Sequence, residues 1–548
     1  MDYKLKKDVT MEASEKLHEV QECLSICPST VAVESMPPPV QEMPGPSMSA
    51  KNRNLQDALQ YIKDDPKVGM IGIWGPGGVG KTHLLKNINN SFGEGMYFDF
   101  VLFVTASRGC SVEKVQSQII ERLRLQSTGP NRLTIHEYMK TKSFLVLLDD
   151  LWNEIDLEEV GIPYPLGNVN KLNRKVVLTT RLRKVCGQMR VRKELKVTYL
   201  QEHEAWQLFE ENIGAETLSS PHIEALAREL MKELKGLPLA LITIGKAMYQ
   251  KDEYQWETAI EYMQQSCCAD DNDPIELAME TNVFRRLKFS YDNLRNKTLR
   301  DCFLTCALWP EDENIRKVNL AQCWMGLGLV NEHDIESSFR KSYSLIADLT
   351  AACLLEGSDV RPGSSFENSH GYVKVHDVIR DMALWISCDC GEKNDKWIVA
   401  APGDRDKKVI ILSSKAECIS LMFKRIPISV NLDPLKLRIL CLRNNEFDES
   451  IIVEEIKNCS SLTYLDLSGN NLKGIPEELC SLVKLEYLDL SENQFGETEV
   501  PPSFGNLINL KFLYLKSGIG SVRIPAGVIS SPQALQVIDL RSFLRNCT

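Results

Sequence analysis

Between Gly72 and Leu85 the chain reads GIWGPGGVGKTHLL, and within it Gly75, Gly80, Lys81 and Thr82 meet the spacing G-x-x-x-x-G-K-[ST]. Glycines at this density let successive backbone N–H groups converge on one anion. The helical run that follows, THLLKNINNSF, aims its N-terminus at the same point and adds partial positive charge. In such a loop Gly75, Pro76, Gly77, Gly78, Val79 and Gly80 wrap phosphate oxygens, Lys81 balances β- and γ-phosphate charge, and the Thr82 hydroxyl ligates Mg²⁺. At average residue usage the four fixed positions match by chance in a chain this long with a probability of about 0.02, so a plain glycine turn is the weaker reading.

An acidic complement lies downstream. FLVLLDD, Phe144 to Asp150, is an apolar run closed by two carboxylates. Asp149 is suited to hold Mg²⁺ through water and Asp150 to polarise an attacking water. The guanine-reading pattern N-K-x-D is absent, since NKLN at Asn170 lacks the aspartate, so ADP or ATP is the expected nucleotide.

These groups need a rigid frame. VGMIGIWG, FVLFVTAS, FLVLLDD and KVVLTTR are short β-rich runs separated by helical patterns. Near-continuous apolar runs suit parallel strands covered on both faces, which predicts a doubly wound α/β domain over 51–200. Residues 201–285 and 286–400 read mainly as helix, with apolar residues three and four apart in EHEAWQLFEENI, IEALARELMKEL and RKSYSLIADLTAACLL. From 401 to 548 the period changes. L-x-x-L-x-L-x-x-N is met from Leu437, Leu462 and Leu485, with looser copies from Leu510 and Leu535, at steps of 23 to 25 residues. A solenoid follows in which Leu465 and Leu467 face a stacked core and Asn445, Asn470 and Asn493 satisfy buried backbone groups. Tyr464, Asp466, Tyr487, Asp489, Phe512 and Tyr514 face outward on the strand side, and an apolar residue before proline recurs at Ile475, Val500 and Ile524. Residues 1–50 carry a helix stub, striped by Leu17, Val20 and Leu24, and a proline-rich linker.

Composition sets the outer bounds. A chain of 548 residues is too long for one core. A net charge of -11 argues against sequence-independent grip on nucleic acid phosphates. No apolar run reaches the ~18 residues that span a bilayer. Seventeen cysteines without an export signal read as reduced core thiols, and Cys302/Cys306 and Cys388/Cys390 lack a second ligand pair at zinc spacing. A cytoplasmic protein is expected.

In order along the chain, the phosphate loop, LLDDLW, VVLTTR, YLQEHEAWQLF, GLPLA, CFLTCALWPED, VHD and the repeats resemble the motifs of plant nucleotide-binding (NB-ARC) leucine-rich-repeat disease-resistance receptors of the coiled-coil class. The resemblance runs from about residue 40 to the end. It implies a multidomain α/β fold: a P-loop domain, a helical ARC1 domain (201–285), a winged-helix ARC2 domain (286–400) and a leucine-rich-repeat solenoid. It further implies ADP buried between the first three, with the repeats folded back to hold them shut. Under it Arg181 senses the terminal phosphate, Pro238 packs near the adenine, and His376 reaches the β-phosphate of ADP. Read alone, GLPLA is helix punctuation and His376 a core or surface histidine.

The implied function is an ADP/ATP-switched intracellular immune receptor, at most a slow ATPase. Its repeats would meet a pathogen effector or a guarded host protein, it would self-associate on activation, and attachment at the plasma membrane stays open. His83 stands where the family usually has a second threonine, and VHD replaces the commoner MHD. The coiled coil is nearly missing and the chain ends at RSFLRNCT inside a repeat, which keeps two other readings: a truncated or regulatory partner that does not signal, and a turnover ATPase of the AAA or helicase kind.

Overall fold

The computed structural model describes residues 40–43 and 52–539 other than 94–96, 108–109, 127–129, 166, 170–171, 267–274, 359–370, 392–395, 400–415, 423–435, 446, 448–455, 497, 516–521, 524, 526–527 and 529–533. The helix stub, nearly all of the linker, Asn170 and Ile524 lie outside these residues.

In the first module the strands are β1 (Met70–Trp74), β2 (Phe100–Thr105), β3 (Phe144–Asp149), β4 (Gly167–Val169), β5 (Leu172–Thr180) and β6 (Lys193–Lys196). They lie in the order β2-β3-β5-β1-β6, all parallel, with β4 antiparallel on β5. The helices are α1 (Arg53–Lys63), α2 (Lys81–Asn90), α3 (Val112–Leu123), α4 (Asn131–Met139), α5 (Leu157–Val160) and α6 (Arg183–Gln188). Burial on both faces explains the unbroken apolar run of β3. Leu145 and Leu147 pack with Leu55 of α1 and Leu84 of α2, while Phe144, Val146 and Leu148 pack with Val115 of α3 and Ile135 of α4. Buried Lys175 in β5 ties the sheet to α1, its Nζ donating to the carbonyls of Tyr61 (3.2 Å) and Asp65 (2.6 Å).

Helices α7 (Glu202–Ile213), α8 (Pro221–Glu233), α9 (Pro238–Ala247), α10 (Glu253–Ser266) and α11 (Ile275–Asp292) follow. The expected boundary at 285/286 falls inside α11, which holds no glycine or proline to break it, and the chain turns only at 293–296, where the Asn296 side chain caps the next helix. A third module holds α12 (Lys297–Cys306), β7 (Ile315–Arg316), α13 (Lys317–Gly326), α14 (Ile335–Ala351), β8 (Glu356–Ser358), β9 (Tyr372–Lys374) and α15 (Asp377–Ser387), its strands antiparallel in the order β7-β9-β8. One apolar cluster runs from Ala205 in α7 through Trp324 in α13 to Met382 in α15, so the second and third modules share a core.

The remaining strands are β10 (Trp397–Val399), β11 (Cys418–Ser420), β12 (Ile439–Cys441), β13 (Tyr464–Asp466), β14 (Tyr487–Asp489), β15 (Thr498–Glu499), β16 (Phe512–Tyr514), β17 (Val522–Arg523) and β18 (Val537–Asp539). All but β15 and β17, which pair with each other, form one parallel sheet in chain order. The sheet starts at β10, before residue 401. Leu440, Leu465, Leu488 and Leu513 point to an inner core, and the buried Asn445, Asn470 and Asn493 donate from Nδ2 to the carbonyls of Leu421, Leu442 and Leu467 one repeat back.

The outward aromatic residues are not in solvent. Tyr464, Tyr487, Phe512 and Tyr514 are buried in the cluster of the second and third modules. Tyr464 and Tyr487 stack with ring centroids 4.3 Å apart, and α13 lies so close that a Cβ on Gly326 would be 2.8 Å from the Tyr487 Cβ. Alternation fixes which way these side chains point, but not what covers them.

Candidate functional site

The loop after β1, the end of β3 and the residue after β5 belong to three adjacent strands, β3-β5-β1, so they converge at one edge of the sheet. Ligands in open α/β sheets sit outside the carboxyl ends of the strands. Gly78 (φ 71°) and Gly80 (φ 94°) adopt left-handed conformations that carry the chain from β1 into α2, and Gly80 caps that helix. Lys81 is buried, and its Nζ donates to the carbonyls of Gly75 (2.9 Å) and Pro76 (2.8 Å), bending the loop around the ammonium. Burial, then the nearby Arg181 charge, lowers its pKa to about 8.

The carboxylates face this loop. Asp149 Oδ1 accepts from Thr82 Oγ1 at 3.2 Å and from Thr179 Oγ1 at 2.6 Å, and burial raises its pKa. Asp150 takes a left-handed φ of 53°; its N–H donates to Thr179 Oγ1 (2.8 Å) and its Oδ2 accepts from Trp152 Nε1 (2.9 Å). Burial pushes its carboxyl up to about 6.

Arg181 bridges modules. Its guanidinium lies 4.7 Å from the centre of the Trp152 ring, pairs with Asp377, and places Nη1 3.2 Å from Asp381 Oδ2. Burial works against its charge, but Asp377, Asp381 and Asp150 outweigh that and raise its pKa. Its Nε is buried and makes no hydrogen bond among the described residues, with Asp150 Oδ1 at 3.8 Å.

His376 stands at the N-cap of α15 with its Nδ1 paired to Asp377, whose Oδ1 also accepts from the Val378 N–H at 2.7 Å. Burial disfavours its charge, yet the Asp377 carboxylate raises its pKa. Pro238 opens α9 at the first helical position, where its missing N–H costs nothing.

The loop touches both other modules through Leu239, inside GLPLA, and Val378, directly after VHD. The Leu239 N–H donates to the Gly78 carbonyl (3.3 Å), and a Cβ on Gly78 would lie 3.0 Å from Leu239 Cβ. A Cβ on Gly77 would lie 2.7 Å from Val378 Cγ2. Gly75 to Thr82, Asp149, Asp150 and Arg181 thus gather at one point, while Pro238 and His376 approach it as immediate neighbours of Leu239 and Asp377. Asp381 was legible in principle, being one helical turn from Asp377.

The donor chemistry suits a nucleotide phosphate and a divalent ion. The N-terminus of α2, which has no side-chain cap, the buried Arg181 Nε and the Lys81 ammonium suit an anion, and the Thr82 hydroxyl beside Asp149 suits Mg²⁺. A separate cavity of about 650 Å³, lined by Ala106, Cys110, Ile155, Tyr164 and Met189, meets this site only at Trp152.

The model for the NB-ARC domain matches residues 49–219, and that for a leucine-rich repeat region matches 424–547. Disease resistance protein UNI of Arabidopsis thaliana is 36% identical over 529 residues, covering 94% of this chain and 54% of that protein. Disease resistance protein RPS5 of the same plant is 36% identical over 501 residues, covering 88% of this chain and 54% of that protein. The chain belongs to the plant NB-ARC leucine-rich-repeat disease-resistance family. It spans about half the length of these curated relatives. The NB-ARC match takes in the phosphate loop, both carboxylates and Arg181; Pro238 and His376 lie beyond it. Among solved structures, Drosophila ORC bound to DNA is 13% identical at a TM-score of 0.29, covering 68% of this chain and 99% of that chain, a likeness too slight to add to this. Among the described residues no helix is long and apolar enough to cross a membrane.

Proposed function

We propose that this chain is the switching part of an ADP/ATP-controlled plant immune receptor, in which bound ADP holds the nucleotide-binding, helical and winged-helix modules in a closed arrangement. The contact of the phosphate loop with both other modules, Gly78 with Leu239 and Gly77 with Val378, carries this reading. Gly75 to Thr82 wrap the phosphates with Lys81 as counter-charge, Pro238 borders the adenine, Arg181 and His376 read the terminal phosphate, and Asp150 orients water in slow hydrolysis. When bound, Mg²⁺ at Thr82 and Asp149 supplies charge neutralisation to the phosphates.

A third phosphate would need the space that Val378 and His376 take up, so ATP and ADP favour different module arrangements. Moving a population from 99:1 closed to 99:1 open takes about 5.5 kcal/mol of differential affinity. A pathogen effector or altered host protein bound to the solenoid would contribute part of that by loosening the repeats from α13. Opened chains would then self-associate, in the cytoplasm.

The test is to denature the freshly purified chain and identify what it releases by ion-exchange chromatography. The parent is expected to release about one adenine nucleotide per chain and Lys81→Ala none. An adenylate-free parent, or stoichiometric ADP in Lys81→Ala, overturns the proposal. Sustained phosphate release at steady state would instead favour a turnover ATPase.

A further inference from the structure

The last turn of α2 carries two asparagines whose amides reach beyond the helix backbone. The helix end is closed instead by Ser91, whose N–H (3.1 Å) and Oγ (2.7 Å) both donate to the Asn87 carbonyl. Asn90 turns to a stretch of chain that lies ahead of α1: its Oδ1 accepts from the Met43 N–H at 2.8 Å and its Nδ2 donates to the Met43 carbonyl at 2.9 Å. Asn89, only 1% exposed, donates from Nδ2 to the Gln41 carbonyl (2.8 Å) and to Asn90 Oδ1 (3.0 Å), which sets the orientation of its neighbour's amide. In an extended chain the N–H and C=O of one residue face the same edge as those of the residue two along. Gln41 and Met43 thus present one strand edge to α2, with Glu42 between them exposed. Val40 packs against the apolar cluster that holds Leu84, Leu85 and Ile88 of α2.

We propose that the last turn of α2 is a docking site for the extended segment 40–43, and that its occupancy is coupled to nucleotide at the first turn of the same helix. The coupling rests on the switch reading above; the docking does not. α2 has ten residues and rises about 15 Å. Lys81 opens it and Asn90 closes it, and buried Leu84, Leu85 and Ile88 fasten it along its length, so its two ends move as one body. A phosphate that draws the loop onto itself therefore sets the position of the two amides. Linkage makes the effect reciprocal: whatever factor the nucleotide adds to docking of the segment, the docked segment adds to nucleotide affinity. Because the amides hold backbone groups and only Val40 supplies an apolar anchor, the site reads an extended chain and not a particular motif.

Endoproteinase Glu-C cuts after glutamate, and the Glu42–Met43 bond lies between the two clamped carbonyls. The rate of that cut in the full chain, followed by mass spectrometry, therefore reports release of the segment. The parent should be cut there at least ~tenfold more slowly than Asn90→Ala, which loses both bonds to Met43. If Asn90→Ala does not fold, Val40→Ser decides: it removes the anchor on the segment, leaves α2 as it is, and should also be cut faster than the parent. A folded variant cut at the parent's rate overturns the docking. The coupling is read on the same samples. Asn90→Ala should release a fluorescent ADP analogue at least ~fivefold faster than the parent, and Lys81→Ala should be cut faster at Glu42–Met43. Stoichiometric ADP in the parent with unaltered release from Asn90→Ala, or with an unaltered cut in Lys81→Ala, sinks the coupling alone, whereas a parent free of adenylate sinks the switch.

Discussion

Arg181 Nη1 at the end of β5 lies 3.2 Å from Asp381 Oδ2 on α15, and the arginine side chain is only 6% exposed. Water screens such a pair little, so removing one partner leaves charge buried without compensation, at a cost of about 3–5 kcal/mol. Asp377→Val removes a second carboxylate from the same guanidinium and leaves Asp150, 3.8 Å from Nε. We expect it to release a fluorescent ADP analogue at least ~tenfold faster than the parent, with Asp381→Asn intermediate. Unchanged release from Asp377→Val in stopped-flow measurements would show that the clasp does not hold the nucleotide.

Gly77 faces Val378 across the module boundary. Gly77→Ala should overpack this contact by about 1–3 kcal/mol, enlarging the hydrodynamic radius and speeding ADP release. Combining it with Val378→Ala, which removes the clashing Cγ2, should restore both. Failure of the double variant to recover would place the effect inside the loop and not between modules.

One buried carboxyl sets an expected pH dependence of stability. Burial, then the Asp381 carboxylate, pushes Glu311 up to about 7 from 4.5, against the attraction of Arg380. A folded pKa above the unfolded one adds stability that is complete below about pH 4.5 and is lost as pH rises through about 7. Glu311→Gln cannot ionise, so its melting temperature should exceed the parent's by about 2–4 °C near pH 8, with the gap closing toward pH 5. Differential scanning fluorimetry across this range checks it, and a gap that widens toward low pH would reverse the assignment.

Much of this frame was legible because two-sided burial and leucine spacing leave period signatures. β3, which ends in Asp149, and the five repeats from Leu437 onward are of that kind, while the phosphate loop shows in the fixed spacing of Gly75, Gly80, Lys81 and Thr82. β10 and β11 were not, since three-residue strands such as Trp397–Val399 carry too few positions to show a period. The contacts of Leu239 and Val378 were hidden for another reason: an apolar residue inside or beside a motif looks the same whether it meets its own core or a neighbouring module. The unbroken α11 overrode a boundary set by spacing alone.

In the repeats, Asn470 Nδ2 donates to the carbonyls of Leu442 and Leu467 at 2.9 Å each, and its Oδ1 accepts from the N–H groups of Asn445 (3.1 Å) and Phe447 (3.2 Å). Asn470→Ala removes these four bonds and a fifth, from Nδ2 to the Ser468 carbonyl at 3.3 Å, in a buried setting where each unsatisfied group costs about 1–3 kcal/mol. We expect a loss of at least ~2 kcal/mol in denaturant unfolding of the repeats, with nucleotide content unaffected. Loss of ADP in this variant would mean that repeat integrity and nucleotide retention are one property.

The covered aromatic face has an evolutionary corollary. Tyr464, Tyr487, Phe512 and Tyr514 cannot be exchanged without also changing how firmly the repeats rest on the helical modules. A substitution there alters two things at once, the strand face of the repeats and their seat on the helical modules. Val483 and Ile508, exposed at equivalent points of successive repeats, carry no such double duty and are freer to diversify.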